Sequence, residues 1–217
     1  MTRPEAVIFD MDGTLYDTET LNARFWQTAG EEFHVPNVEE LTRACVGRNR
    51  KAIEQVMREH LGAEFPVTAF LDRTQSLMRE YIAREGCPLK KGAEELIAFL
   101  SAEGIPMGMA TSSSRATAES RLTGSGLLDH FRVIVGGDMV QHSKPDPEPY
   151  RLACRLLGVS PEQCIGVEDS PNGVRSLHDA GLITVMVPDT IAPMKEIRSL
   201  CRWVLPSLFD LLELLKQ

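Results

Sequence analysis

The run Val7-Ile8-Phe9-Asp10-Met11-Asp12-Gly13-Thr14 constrains this chain more than any other stretch. Three apolar residues lead directly into two aspartates and a glycine. A short continuous apolar run suits a strand buried on both faces of a parallel sheet. Gly13 supplies the turn at its end. Asp10 and Asp12 then stand just past the carboxyl end of a central strand, where open α/β sheets bind ligands. Two carboxylates this close repel each other if both ionise in a dry site. Alone, Asp-x-Asp is most often a solvated turn. A calcium loop is ruled out by spacing: Gly13 comes too early, and Leu21 holds the twelfth position, where an acid is required.

After Thr14 the pattern turns helical. Leu21, Phe25, Ala29 and Phe33 recur at helical spacing, then Ile53, Val56, Met57, His60 and Leu61, then Phe70, Thr74, Leu77, Met78, Tyr81 and Ile82. Three amphipathic helices with no strand between them predict a helical block, punctuated by Pro36 and Pro66. From Lys90 onward strands and helices alternate. Strands are expected over residues 106–111, 133–135, 164–167 and 184–187. Helices are expected over 93–100, 114–122, 149–157, 173–180 and 208–215, with Ser207 a candidate N-cap. The expected fold is α/β: a Rossmann-like, mostly parallel sheet with helices on both faces, and a small α-helical cap inserted after the first strand. The core domain is expected to take residues 1–15 and 88–217, and the cap 16–87, with hinges near Leu15-Tyr16-Asp17 and Gly86-Cys87-Pro88.

Charge and cysteine usage narrow the class. A net charge of -8 argues against a general nucleic-acid or anionic-membrane surface. Five cysteines without a C-x-x-C pair suggest reduced thiols in a cytoplasm. Residues 1–5 lead directly into the first strand, so no targeting segment is expected. No apolar run approaches the ~18 residues of a membrane span. Monomer is the default expectation.

Three later stretches place polar groups where they can meet Asp10 and Asp12. Thr111-Ser112-Ser113-Ser114-Arg115 joins a strand to a helix, and its hydroxyls and N–H groups suit a phosphate, although alone it reads as a helix cap. Lys144 lies in Ser143-Lys144-Pro145-Asp146-Pro147, where two prolines stiffen the loop; alone it reads as a solvated lysine. Glu168 and Asp169 close an apolar strand in Gly166-Val167-Glu168-Asp169-Ser170-Pro171-Asn172-Gly173. With Asp10 and Asp12 they make an oxygen-rich cage suited to magnesium.

These motifs, in this order, resemble those of the haloacid dehalogenase superfamily, in its phosphatase and β-phosphoglucomutase-like branch. The matching residues are Asp10-x-Asp12-Gly13-Thr14, the strand ending in Thr111, Lys144-Pro145, and Gly166-Val167-Glu168-Asp169-Ser170. The resemblance spans essentially the whole chain, with the helical block lying where this branch carries its cap. It implies that Asp10 is the nucleophile and that Asp12 is general acid and then base. Magnesium would be held by the Asp10 carboxylate, the Asp12 main-chain carbonyl and Asp169, with Glu168 acting through a neighbour or water. Thr111 and the Ser112 N–H would hold the phosphoryl group, and Lys144 would offset negative charge. The dehalogenases of the superfamily lack an acid at the Asp12 position, so its presence favours phosphoryl chemistry.

The expected activity is magnesium-dependent hydrolysis of a small phosphorylated metabolite such as a sugar phosphate. A β-phosphoglucomutase-type isomerase is the alternative, and a non-catalytic phosphometabolite-binding protein ranks third. Gly47-Arg48-Asn49-Arg50 falls where this branch has its specificity loop, and Arg50 matches a substrate-contacting arginine of the mutases. A solvated basic loop is the competing reading. Arg73 falls near a mutase lysine. Asn22 stands where the mutases carry a cap-side histidine, which weakens the mutase reading. The five histidines lack metal-ligand spacing and are expected to be structural.

Overall fold

A computed structural model describes residues 3–45, 50–190 and 192–217. The chain divides into two compact units, Met1–Asp17 with Cys87–Gln217, and Thr18–Gly86.

The first unit is built on six strands: β1 (Ala6–Phe9), β2 (Met107–Ala110), β3 (Phe131–Val135), β4 (Cys164–Glu168), β5 (Ile183–Met186) and β6 (Trp203–Val204). All five pairings are parallel, in the order β3-β2-β1-β4-β5-β6. Every residue of β1, β2 and β4 is buried, which explains why these strands read as unbroken small and apolar runs rather than alternating ones. The two-residue period still sorts their side chains. Val7, Phe9, Met107, Met109, Ile165 and Val167 enter one core, while Ala6, Ile8, Ala110 and Cys164 enter the other. Numbered in chain order, the helices of the second unit are α1 to α4, so those of this unit are α5 (Ala93–Ala102), α6 (Arg115–Gly124), α7 (Glu148–Leu157), α8 (Pro171–Ala180), α9 (Lys195–Leu200) and α10 (Leu208–Leu215). The first core takes Leu96, Ile97 and Leu100 of α5, Ala118 and Leu122 of α6, and Leu208 and Leu211 of α10. The second takes Tyr150, Ala153 and Cys154 of α7 and Leu177 of α8.

Strand order reverses at β1, whose neighbours are β2 on one side and β4 on the other. The carboxyl ends of these three strands therefore meet at the topological switch point, where a crevice forms. Asp10 follows β1, Thr111 follows β2, and Glu168 ends β4.

Among the described residues, four helices rather than the expected three form the second unit: α1 (Thr18–Glu32), α2 (Val38–Cys45), α3 (Arg50–Leu61) and α4 (Val67–Glu85). The helix absent from the sequence reading, α2, has only eight residues, of which Val38, Leu41 and Cys45 are buried. Its apolar spacing is helical but too short to stand out. Trp26, Phe33 and Phe70 close the middle of this unit, with ring centroids 5.3 Å apart for Trp26–Phe70 and 5.6 Å for Phe33–Phe70. Arg73 of α4 grips Glu32 of α1 through two bonds of 2.7 and 2.8 Å. It therefore joins two helices of the unit. Two further elements also escaped the sequence reading, α9 and the edge strand β6. Ser207 precedes α10, but its hydroxyl donates to the Asp210 carboxylate at 2.5 Å rather than capping a backbone N–H. Among the described residues, no helix is long and apolar enough to cross a membrane.

Candidate active site

Four charged side chains meet at the switch point. Lys144 Nζ donates to Asp10 Oδ1 at 2.5 Å, to Glu168 Oε1 at 2.7 Å and to the Ala110 carbonyl at 2.9 Å. All three donor protons of the ammonium are therefore used. Asp10, Glu168 and Asp169 each offer a carboxylate oxygen, and these lie within 4.8 Å of one another. The Lys144 side chain is 6% exposed and that of Glu168 is 1% exposed, so water screens these charges poorly.

The titration of the cluster follows from that burial. Loss of water pushes the Asp10 carboxyl from 3.8 up to about 7, with Lys144 opposing the rise and Glu168 adding to it. Burial, Glu168 and Asp10 hold Asp169 well above the usual carboxylate range. Burial alone would lower Lys144, but the charges of Asp10 and Glu168 win and hold its ammonium above the ordinary lysine value. One lysine thus faces three carboxylates, and the excess negative charge is what a divalent cation would offset. An all-oxygen donor set suits a hard ion such as magnesium.

The three carboxylates are not equivalent as donors. Glu168 Oε1 accepts from Lys144 and from the Tyr150 hydroxyl at 2.8 Å, and Oε2 accepts from the N–H groups of Asp169 and Ser170 and from Ser170 Oγ. Its lone pairs are occupied, so it is suited to hold the loop and the lysine rather than to bind an ion directly. Asp169 Oδ1 accepts only the Thr14 hydroxyl among the bonds described, at 3.0 Å. Asp10 and Asp169 are thus the two carboxylates best suited to a metal. The Asp12 carboxylate lies outside the cluster: it accepts from Ser113 Oγ at 3.0 Å and from Arg121.

Glycines let these groups approach. Gly13 has φ +82°, and a Cβ there would stand 2.5 Å from Asp169 Oδ2. A Cβ on Gly173, in the first turn of α8, would fall within 1.7–2.1 Å of the Glu168 carboxylate. Gly173→Ala is expected to force that carboxylate aside, costing about 1–3 kcal/mol of stability, read as a lower urea midpoint, and weakening activity together with it. An unchanged midpoint would mean that the loop shifts at little cost.

The remaining sequence candidates are placed as follows. Thr111 is buried beyond β2, and its Oγ1 accepts the Ser113 N–H at 3.1 Å. Ser112 is exposed in the same loop. Arg50 opens α3, pairing with Glu54 and Asp72 at 3.2 Å each. It borders a cavity of about 170 Å³ shared with Asn22, Trp26, Thr74 and Gln75. Gly47, Arg48 and Asn49 lie outside the described residues. His142 groups with Asp146 and Glu148, an arrangement spacing alone did not reveal. There the Glu148 carboxylate accepts the N–H groups of Gln141 and His142 and so closes a loop.

Sequence reasoning missed Tyr150 and Arg121, while Ser113 lies in the hydroxyl-rich stretch it singled out. Tyr150 lies six residues past Lys144, and α7 carries it back so that Lys144 Nζ sits 4.8 Å from its ring centroid. Nothing local in the sequence marks Arg121.

A doubly wound α/β sheet with aspartate, lysine and paired acids at its switch point defines an α/β protein with a charged ligand site at its strand ends. The model of the haloacid dehalogenase-like hydrolases matches residues 4–181, and the chain belongs to that family. It is 34% identical over 178 residues to the phosphorylated carbohydrates phosphatase of Thermotoga maritima, covering 82% of each chain. It is also 34% identical to the validoxylamine A 7'-phosphate phosphatase of Streptomyces hygroscopicus subsp. limoneus, covering 86% of each. Among solved structures it matches CbbY from Rhodobacter sphaeroides in complex with xylulose-(1,5)bisphosphate. The TM-score there is 0.74 at 29% identity, over 96% of each chain.

Proposed function

We propose that this protein is a magnesium-dependent phosphatase of a small phosphorylated metabolite, with sugar phosphates the preferred class. The observation that carries this reading is the lysine-bridged carboxylate cluster at the switch point. A relative named for phosphorylated carbohydrates supports the substrate class.

In this mechanism an Asp10 oxygen attacks phosphorus, and the bond from phosphorus to the leaving oxygen breaks. Asp12 gives its proton to that oxygen. It then takes a proton from water, whose oxygen displaces Asp10 and releases phosphate. Lys144 holds Asp10 in place and offsets charge on the phosphoryl oxygens. Thr111 and the Ser112 N–H are assigned to those oxygens. Asp10, the Asp12 carbonyl and Asp169 would hold magnesium, which would supply further neutralisation of phosphoryl charge. Glu168 keeps Lys144 and the Asp169 loop in position. Residues 18–86 serve as the cap, and Arg50 reads an anionic part of the substrate.

The test is phosphate release from a panel of sugar phosphates, phosphosugar acids and nucleotides. Release is expected with magnesium and is expected to be lost on chelation and in Asp10→Asn. No release from any compound would overturn the phosphatase reading. Conversion of β-glucose 1-phosphate to glucose 6-phosphate, with catalytic bisphosphate and no free phosphate, would assign the protein to the mutases instead.

A further inference from the structure

We propose that Arg121 is the positioning residue for the Asp12 carboxylate, fixing one oxygen so that the other can exchange a proton with substrate and water. The proposal rests on the assignment of Asp12 as acid and base. It starts from an unusual placement: the Arg121 side chain is only 14% exposed, whereas the Asp12 side chain it binds is 35% exposed. Arginine is rarely this covered without a fixed partner. Helical side chains lean toward the helix N-terminus. Arg121, in the last turns of α6, thus reaches back toward the end where Ser113 precedes the helix. Both donors to Asp12, Arg121 to Oδ1 and Ser113 to Oδ2, come from the one segment that begins with Thr111.

The base of the arginine is also tied down. Its carbonyl accepts from Ser125 Oγ at 3.1 Å, and Ser125 Oγ lies 2.7 Å from the hydroxyl of the buried Tyr16. Tyr16 belongs to the same turn as Asp12, since its carbonyl accepts the Gly13 N–H at 2.9 Å. Arginine and aspartate are therefore held from both ends of one closed loop of contacts.

The two bonds to Asp12 differ in strength. Arg121 brings a full positive charge to Oδ1, an ion-pair attraction that the neutral Ser113 hydroxyl at Oδ2 lacks. When substrate arrives, the Ser113 bond is the one that yields, freeing Oδ2, while Oδ1 stays on Arg121. A carboxyl group with one oxygen anchored and one free is what directed proton transfer needs.

The test compares kcat/KM for the panel's fastest sugar phosphate with that for p-nitrophenyl phosphate, whose leaving group departs without a proton. Arg121→Met is expected to lower kcat/KM on the sugar phosphate by about 10²-fold. On p-nitrophenyl phosphate the change is expected to stay within about 3-fold, and Arg121→Lys is expected to recover part of the loss. In an Asp12→Asn background, Arg121→Met should add no further loss on the sugar phosphate. Equal losses on both substrates, or an undiminished loss in the Asp12→Asn background, would overturn the proposal and leave Arg121 a helix-packing residue. Those results would leave the phosphatase reading intact. No release by the unmodified protein would instead overturn that reading and the proposal with it.

Discussion

Asp10→Asn is expected to abolish phosphate release, by at least about 10⁴-fold, while making the metal-free protein more stable at pH 8. The first effect follows because the amide that replaces the carboxylate is a far weaker nucleophile. The second follows from the crowding of Asp10, Glu168 and Asp169 around one lysine. Burial raises the Asp10 carboxyl to about 7 in the folded protein, whereas in the unfolded chain it titrates near the ordinary aspartate value of about 3.9. Between those values the folded state binds more protons than the unfolded one. Stability contributed by Asp10 is therefore present below about 3.9 and lost as the pH rises through about 7. Asparagine does not ionise, so the melting-temperature difference between variant and unmodified protein should be small at pH 4 and grow toward pH 8. Differential scanning calorimetry in a chelator checks this. A variant that melts lower than the unmodified protein at pH 8 would show that the Lys144–Asp10 bond outweighs the repulsion.

Lys144→Met is expected to cost about 3–5 kcal/mol of stability at neutral pH, because it leaves buried carboxylates without their counter-charge. Methionine has a similar length and avoids a large cavity, so the loss would report charge rather than packing. Activity should fall by about 10²–10³-fold, the usual scale for one electrostatic stabiliser of a transition state. The charge of Lys144 is present throughout the ordinary pH range, since Asp10 and Glu168 hold it above the usual lysine value. The deficit should therefore narrow as the pH falls below about 7, where Asp10 takes up its proton. Urea unfolding at pH 5 and pH 8 makes the comparison. A loss that does not change with pH would point to packing against Tyr150, whose ring centroid lies 4.8 Å from Lys144 Nζ.

Much of this protein is visible in residue pattern. The runs at β1, β2 and β4 are apolar because both of their faces are covered, and that alone separates a parallel sheet from an antiparallel one. Asp10, Thr111, Lys144, Glu168 and Asp169 stand out because each follows or ends a strand, or sits in a proline-stiffened loop. The short helix α2, the short helix α9 and the two-residue strand β6 were not visible. Too few residues repeat in them for a period to emerge, and neighbouring elements hold them in place.

The site divides in the same way. Chain pattern alone determined which residues are acidic, which strands end beside them and in what order, since these are properties of local spacing. Only the tertiary structure decided how the charges share their partners. Glu168 is saturated with donors, Arg73 is spent on Glu32, Tyr150 returns to Lys144 from the next helix, and Asp12 is bound by an arginine 109 positions away. The physical reason is that hydrogen-bond and charge pairing depend on distance in space, which a sequence period does not carry. Helix α6 and the β1 turn come together only because the sheet sets their strands side by side.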